Sequence, residues 1–95
     1  MVILDKAIEK YGERQLDQAQ EELAELIVAI SKYKRAVANR NGNIEIKAIN
    51  DVVEEIADVR IMIKQVMMLL GISERAVSNV EIAKLNRLEK RMNSN

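Results

Sequence analysis

Proline is absent from all 95 residues, and glycine occurs only three times, at Gly12, Gly42 and Gly71. Between these glycines, apolar residues recur every three or four positions, which is the period of an amphipathic helix. Phenylalanine and tryptophan are also missing, and strands are usually rich in aromatic and β-branched residues. Because proline and glycine are the poorest helix formers, a chain that nearly lacks both is predicted to be all-α.

Local signals divide the chain into helices. The expected segments are residues 3–11, 13–37, 44–70, and a last stretch from after Ser73 to about Met92. Gly12 and Gly71 stand where left-handed caps end helices, and Asn41-Gly42 marks the loop between the two long helices. We expect a single four-helix bundle-like domain over residues 1–92, with two long antiparallel central helices and a frayed tail at 93–95.

Two finer expectations concern helix ends. Asn43 is predicted to cap the third helix, since asparagine is a preferred N-cap residue. Ser78 is followed by Glu81 in the spacing of a capping box, so a break or kink is expected near Ser78.

Acidic residues border the apolar stripes of both long helices in the same way. On the expected second helix the stripe is Leu16, Ala19, Leu23, Leu26, Ile27, Ile30 and Val37, and on the third it is Val52, Ile56, Val59, Ile63, Val66 and Leu70. Glu22 and Glu55 lie at the margins of these stripes. Glu25 and Asp58 each follow by three residues, about one turn further along the same side. Packing the two stripes together would therefore bring four carboxylates to one seam.

Four carboxylates at one seam would repel one another, and burial would add a desolvation cost. A hard divalent cation removes both problems, and oxygen ligands in this number suit Mg²⁺ or Mn²⁺. Each acid taken alone fits an ordinary exposed helix surface, since charged residues are mostly exposed. The repeated offset on two helices favours the metal site.

The residue inventory excludes several chemistries. The chain has no histidine and no cysteine, so it lacks Ser-His-Asp, Cys-His and Glu-x-x-His di-iron sites. A Gly-x-x-x-x-Gly-Lys phosphate loop is absent as well. Lysine plus arginine and aspartate plus glutamate are both 15, and this balance shows no basic face for nucleic acid. No apolar run approaches membrane-spanning length, so a cytoplasmic protein without a membrane or nucleic-acid partner is expected.

The acidic pattern resembles that of a known superfamily. Glu21-Glu22-Leu23-Ala24-Glu25 followed by Glu55-Ile56-Ala57-Asp58 is similar to the signature of the all-α nucleoside triphosphate pyrophosphohydrolases, and the chain looks closest to short, single-domain MazG-like forms. The resemblance implies a Mg²⁺-dependent hydrolase that converts an NTP or dNTP to the monophosphate and pyrophosphate. It also implies a homodimer or homotetramer.

Carried over onto this sequence, the resemblance implies specific roles. Glu22, Glu25, Glu55 and Asp58 would hold the metal, and Glu21 would be the catalytic base that activates water or would support the ligands. The residues implied to contact phosphate are Lys84, Asn86 and Arg87, for which the plain alternative is a solvated helix face. The candidate base contacts are Tyr33 and Gln15, and a structural tyrosine is an equal alternative for the first.

Two other functions explain part of the sequence. A non-enzymatic helical adaptor or regulatory bundle would have the same composition and amphipathic helices, but it would not need acids beside both stripes. A degenerate family member would bind nucleotide without hydrolysing it. For assembly, a minor second stripe on the third helix, formed by Ala57, Ile61 and Met68, predicts a face that a partner subunit covers.

Overall fold

The computed structural model describes residues 2–94 and contains four α-helices. They are α1 (Val2–Tyr11), α2 (Arg14–Ala38), α3 (Gly42–Leu70) and α4 (Glu74–Asn93). No strand occurs in this part of the chain. The all-α class and the helical bundle built on two long central helices are confirmed.

The helix ends follow from local side-chain and backbone chemistry. Gly12 and Gly71 adopt positive φ angles of 61° and 66°, a conformation that favours glycine because it lacks a Cβ atom. After Gly71, the side chain of Ser73 accepts a hydrogen bond of 3.1 Å from the backbone N–H of Ala76 and starts α4.

Two of the finer predictions, the N-cap at Asn43 and a break at Ser78, were wrong. The N-cap of α3 is Asn41, whose side chain accepts from the backbone N–H of Ile44 at 3.2 Å, so Asn43 lies inside the first turn. Asparagine suits both positions, and only the turn geometry decides between them. No break occurs at Ser78, because α4 is continuous from Glu74 to Asn93. Of the expected frayed tail, Asn93 is helical, Ser94 follows the helix, and Asn95 lies outside the described residues.

The centre of the protein is the antiparallel pair of α2 and α3. A three-residue connection reverses the chain between Ala38 and Gly42. At the far end of the pair, Gln15 of α2 donates a hydrogen bond of 2.7 Å to Gln65 of α3. The residues buried in these two helices are mostly small: Ala19, Ala29, Ala36, Ala48, Val59, Met62 and Gln65. Small side chains allow the two helix axes to approach closely, because the interaxial distance depends on the size of the side chains at the contact.

The seam between α2 and α3 does not use the predicted apolar stripes as a whole. Leu23 and Ile27 of α2 keep 46% and 66% of their surface exposed, and Ile56 and Ile63 of α3 keep 43% and 48%. The side of α2 that packs instead carries Ala19, Ala29 and Ala36, and the side of α3 that packs carries Ala48, Val59, Met62 and Gln65. Glu22 and Glu55 consequently lie in the seam rather than at its margin. Hydrophobicity alone could not predict which side of each helix faces the other. Close packing favours a side with small residues, even where a neighbouring side of the same helix is more hydrophobic.

The two shorter helices differ in their packing. α1 packs on both α2 and α3 and buries Leu4. α4 packs against none of the other three helices, and every residue described in it is exposed. The protein is consequently extended, with dimensions of 45 × 40 × 19 Å.

Candidate metal centre

Glu22 and Glu55 approach each other across the seam of α2 and α3. Glu22 lies three residues after the buried Ala19 of α2, and Glu55 lies four residues before the buried Val59 of α3. Both side chains are only partly exposed. Gln18, one turn before Glu22, donates a hydrogen bond of 2.9 Å to Glu22 Oε1 and helps to hold that carboxylate in place.

Three of the four predicted metal ligands come together at this point. One carboxylate oxygen from each of Glu22, Glu25 and Glu55 lies within 4.8 Å of the other two. Glu25 is exposed and approaches the cluster from the solvent side. Asp58 is exposed and lies outside this group of three, but it is close enough to act on the charges of both Glu22 and Glu55.

The electrostatics of the cluster disfavour the charged state of its inner members. Burial raises the pKa of Glu22 above the ordinary value of 4.5, the carboxylates of Glu25 and Asp58 raise it further, and the hydrogen bond from Gln18 opposes them. Burial also raises the pKa of Glu55, with further contributions from Glu25, Asp58 and Glu22. Within residues 2–94, no basic side chain forms an ion pair with any of these acids.

Two carboxylate oxygens in the seam have no hydrogen-bond partner. They are Glu22 Oε2 and Glu55 Oε2, and both are shielded from solvent. A shielded acceptor without a donor is unfavourable, because it has lost its hydrogen bonds to water. A bound cation would satisfy both oxygens, so the donor set fits a hard divalent ion: three carboxylates for direct ligation, with remaining positions for water.

The predicted water-activating residue has a different placement. Glu21 is exposed and, at about 100° per residue, is rotated away from the seam in which Glu22 lies. It is near the cluster in sequence but is not among the three acids that converge. Its catalytic role stays a prediction.

The residues predicted to contact phosphate are not brought to the cluster within this protomer. Lys84, Asn86 and Arg87 are exposed on α4, which does not pack against α2 or α3. The predicted arrangement therefore requires either a second copy of the chain or a different position of α4.

Neither of the two residues predicted to contact the nucleotide base is part of the acidic cluster. Tyr33 is 37% exposed and lies three turns after Glu22, about 16 Å along the helix axis at 1.5 Å per residue. The amide of Gln15 is engaged with Gln65, which is 3% exposed. Gln15 thus has a structural partner that accounts for its position.

Two glutamines near the centre were missed by the sequence reasoning. Gln18 stands four residues before Glu22, and this i, i+4 spacing is a signal that could have identified the hydrogen bond. Gln65 gave no such signal. It is the one buried polar residue among those described, and its amide also donates to the sulfur of Met62 at 3.5 Å.

Comparison with models of protein families, with curated proteins and with solved structures found no match to this chain. None of the helices over residues 2–94 combines the length and the apolar character that a membrane crossing requires.

Proposed function

We propose that the protein is a Mg²⁺-dependent nucleoside triphosphate pyrophosphohydrolase, which converts an NTP or dNTP and water to the monophosphate and pyrophosphate. The observation that carries the proposal is the convergence of Glu22, Glu25 and Glu55, with two seam oxygens left without hydrogen-bond donors. The resemblance of the acidic pattern to the MazG-like enzymes selects this reaction among those that acid-held Mg²⁺ supports.

Each side chain has a defined part in the proposal. Glu22, Glu25 and Glu55 would hold the ion, and Asp58 would join them by a change of rotamer, since it already acts electrostatically on two of them. The ion would supply charge neutralisation at the phosphoryl oxygens. Glu21 would take the proton of the attacking water from the exposed side of α2.

Cationic side chains would hold the phosphates that the carboxylates repel. Lys84 and Arg87 are the proposed donors, assisted by Asn86, and they would come from an α4 that reaches the acidic cluster of a second copy. Assembly as a homodimer or homotetramer and a cytoplasmic location are parts of the same proposal. Mn²⁺ could occupy the site in place of Mg²⁺, because both ions prefer oxygen ligands.

Product analysis tests the proposal. Wild-type protein is incubated with a panel of NTPs and dNTPs, with Mg²⁺ and with excess chelator, and the products are separated by anion-exchange chromatography. We expect Mg²⁺-dependent monophosphate and pyrophosphate, and their loss in Glu55→Gln. Glu54→Gln is the matched control, since it removes a neighbouring exposed acid that lies outside the cluster. Equal activity of the two variants would refute the assigned site.

A non-enzymatic adaptor is the second candidate, and a specific observation favours it. α4 and one face of the α2–α3 pair expose many aliphatic side chains, as a protein that binds a helical partner would. A degenerate relative that binds nucleotide without hydrolysis is the third. The absence of products together with Mg²⁺-dependent nucleotide binding would identify the degenerate relative, and the absence of both would favour the adaptor.

A further inference from the structure

A small cleft lies at the loop end of the seam between α2 and α3, away from the acidic cluster. Its polar lining is Lys32, Arg35 and Asn39 from α2, and Lys47 and Asp51 from α3. The cleft has a volume of about 290 Å³, at the lower end of the range of small-molecule pockets. A cleft of this size suits a small ion or one end of a longer ligand.

The charge of the cleft is positive. Lys47 Nζ lies 3.3 Å from Asp51 Oδ2, so these two side chains neutralise each other. Lys32 and Arg35 form no ion pair with any residue in the described range 2–94. Two cations without a carboxylate partner therefore remain in a concave surface, where charges of one sign concentrate the electric field. An anion is the ligand that this distribution of charge favours.

The cleft and the acidic cluster lie on the same side of the seam. Lys32 follows Glu25 by seven residues on α2, and Asp51 precedes Asp58 by seven residues on α3. Seven residues at about 100° each return to within about 20° of the starting direction, and they advance about 10 Å along a helix axis. Because Lys32 and Asp51 line one cleft, Glu25 and Asp58 lie on that same side, about two turns away.

This edge of the α2–α3 pair suits a ligand that carries a metal ion at one end and negative charge at the other. Polyphosphates have this character, because Mg²⁺ is commonly bound between protein carboxylates and phosphate oxygens. Lys32 would contact the remaining phosphate oxygens as a point charge on a flexible stem, and Arg35 would bind two oxygens at once through its planar fork. The side-chain amide of Asn39 would add a neutral donor.

We propose that the cleft binds the distal phosphates of a polyphosphate whose metal ion is held by the acidic cluster, so that one protomer holds both ends of the ligand. This inference rests on the metal site of the proposed function, but it does not depend on hydrolysis. Lys32 and Arg35 belong to the same protomer as the carboxylates, and they add to the donors proposed on α4. Inorganic tripolyphosphate is the simplest ligand of this class.

Basic residues near a helix C-terminus also have a role that needs no ligand, since they interact favourably with the helix dipole. Lys32, Lys34 and Arg35 all lie near the end of α2 at Ala38, so all three have this role. Lys34 is not among the residues that line the cleft, and it is rotated about 160° from Lys32. Lys34 is therefore the matched control, because it has the same charge and a comparable position in the dipole.

The test measures the binding of pre-mixed Mg²⁺ and tripolyphosphate by isothermal titration calorimetry at constant ionic strength, with folding followed by circular dichroism. Lys32→Ala and Arg35→Ala should each raise the dissociation constant about tenfold, as the loss of one charge-assisted hydrogen bond implies. Lys32→Arg should keep most of the affinity. Lys34→Ala should change the dissociation constant less than about twofold, because an exposed charge at a distance is screened. Equal weakening by Lys32→Ala and Lys34→Ala, or no binding by wild type, would overturn the proposal.

A comparison with Glu55→Gln separates this proposal from the proposed function. Glu55→Gln should weaken the binding of tripolyphosphate with Mg²⁺, because it removes a metal ligand, but it should not weaken the binding of metal-free pyrophosphate in chelator. Lys32→Ala should weaken both. If Lys32→Ala leaves both affinities unchanged while Glu55→Gln abolishes the first, the metal site stands and the cleft has no role. Binding that depends on Lys32, without release of pyrophosphate from any NTP, would reject the hydrolysis and support the cleft.

Discussion

Glu22 and Glu55 face each other across the seam of α2 and α3, with an oxygen of one within 4.8 Å of an oxygen of the other. Each also keeps a shielded oxygen without a hydrogen-bond partner. Two like charges in such a position are unfavourable unless a cation or a proton is shared between them. This relationship is the basis of the first two predictions.

Magnesium should stabilise the folded protein. At a Mg²⁺ concentration ten times the dissociation constant, binding to the native state alone contributes about 1.4 kcal/mol. Thermal unfolding with MgCl₂ and with NaCl at equal ionic strength measures this contribution, and the salt control is needed because screening also relieves carboxylate repulsion. Glu55→Gln should abolish the specific effect and leave the metal-free protein at least as stable as wild type. Glu54→Gln should retain the effect. An equal response to the two salts would count against the metal site.

The stability of the metal-free protein should depend on pH in a defined direction. The folded-state pKa values of Glu22 and Glu55 are raised above 4.5. Between pH 4.5 and these raised values, the folded state therefore binds more protons than the unfolded state. Their unfavourable contribution is therefore complete at neutral pH and diminishes as the pH falls through the raised values toward 4.5. Urea unfolding in chelator across this range should show wild type gaining stability relative to Glu55→Gln as the pH falls. A difference between the two proteins that does not change with pH would contradict the assignment.

The sequence predicted the helices and the meeting of three of the four acids, because both depend on local periodicity. It did not predict which side of α2 and which side of α3 form the seam. On α2 the buried alanines lie beside the exposed side chains of Leu23, Ile27 and Ile30. Hydrophobicity favours the larger residues for the contact with α3, whereas close approach of the helices favours the alanines. The position of α4 could not be predicted either, because a short connection at Gly71 permits several directions and α4 has no contact that would select one.

Gln15 should contribute to stability rather than to nucleotide selection. Its amide donates to Gln65 Oε1 at 2.7 Å, and Gln65 is buried. Gln15→Ala would leave that oxygen without its donor, which is expected to cost about 1–3 kcal/mol. Chemical denaturation measures the loss, with Gln20→Ala as the control on the exposed side of α2. Preserved stability combined with an altered KM for one nucleotide would instead support the role of a base contact.

The residues proposed to contact phosphate should act on a different copy of the chain. Lys84 lies on α4, which does not approach α2 or α3 of its own protomer. If hydrolysis requires Lys84, then Lys84→Ala and Glu55→Gln should each be inactive, and a refolded equimolar mixture should regain about a quarter of wild-type activity, because half of the two-fold dimers contain one intact site. A mixture that stays inactive while forming mixed dimers would show that Lys84 acts within its own protomer.

The bond that breaks is the last prediction. Acid-held Mg²⁺ could support attack at the α, β or γ phosphorus of a triphosphate, and the positions of Glu22, Glu25 and Glu55 do not decide among them. The resemblance to the pyrophosphohydrolases favours the α phosphorus, where pyrophosphate leaves while its developing charge is neutralised by the ion. Hydrolysis in ¹⁸O-labelled water, followed by mass spectrometry of both products, should place the label in the monophosphate and leave pyrophosphate unlabelled. Labelled pyrophosphate would mean attack at the β phosphorus, and labelled orthophosphate beside a diphosphate would mean attack at the γ phosphorus. Either result would reject the pyrophosphohydrolase reaction while leaving the metal-binding role of the three glutamates intact.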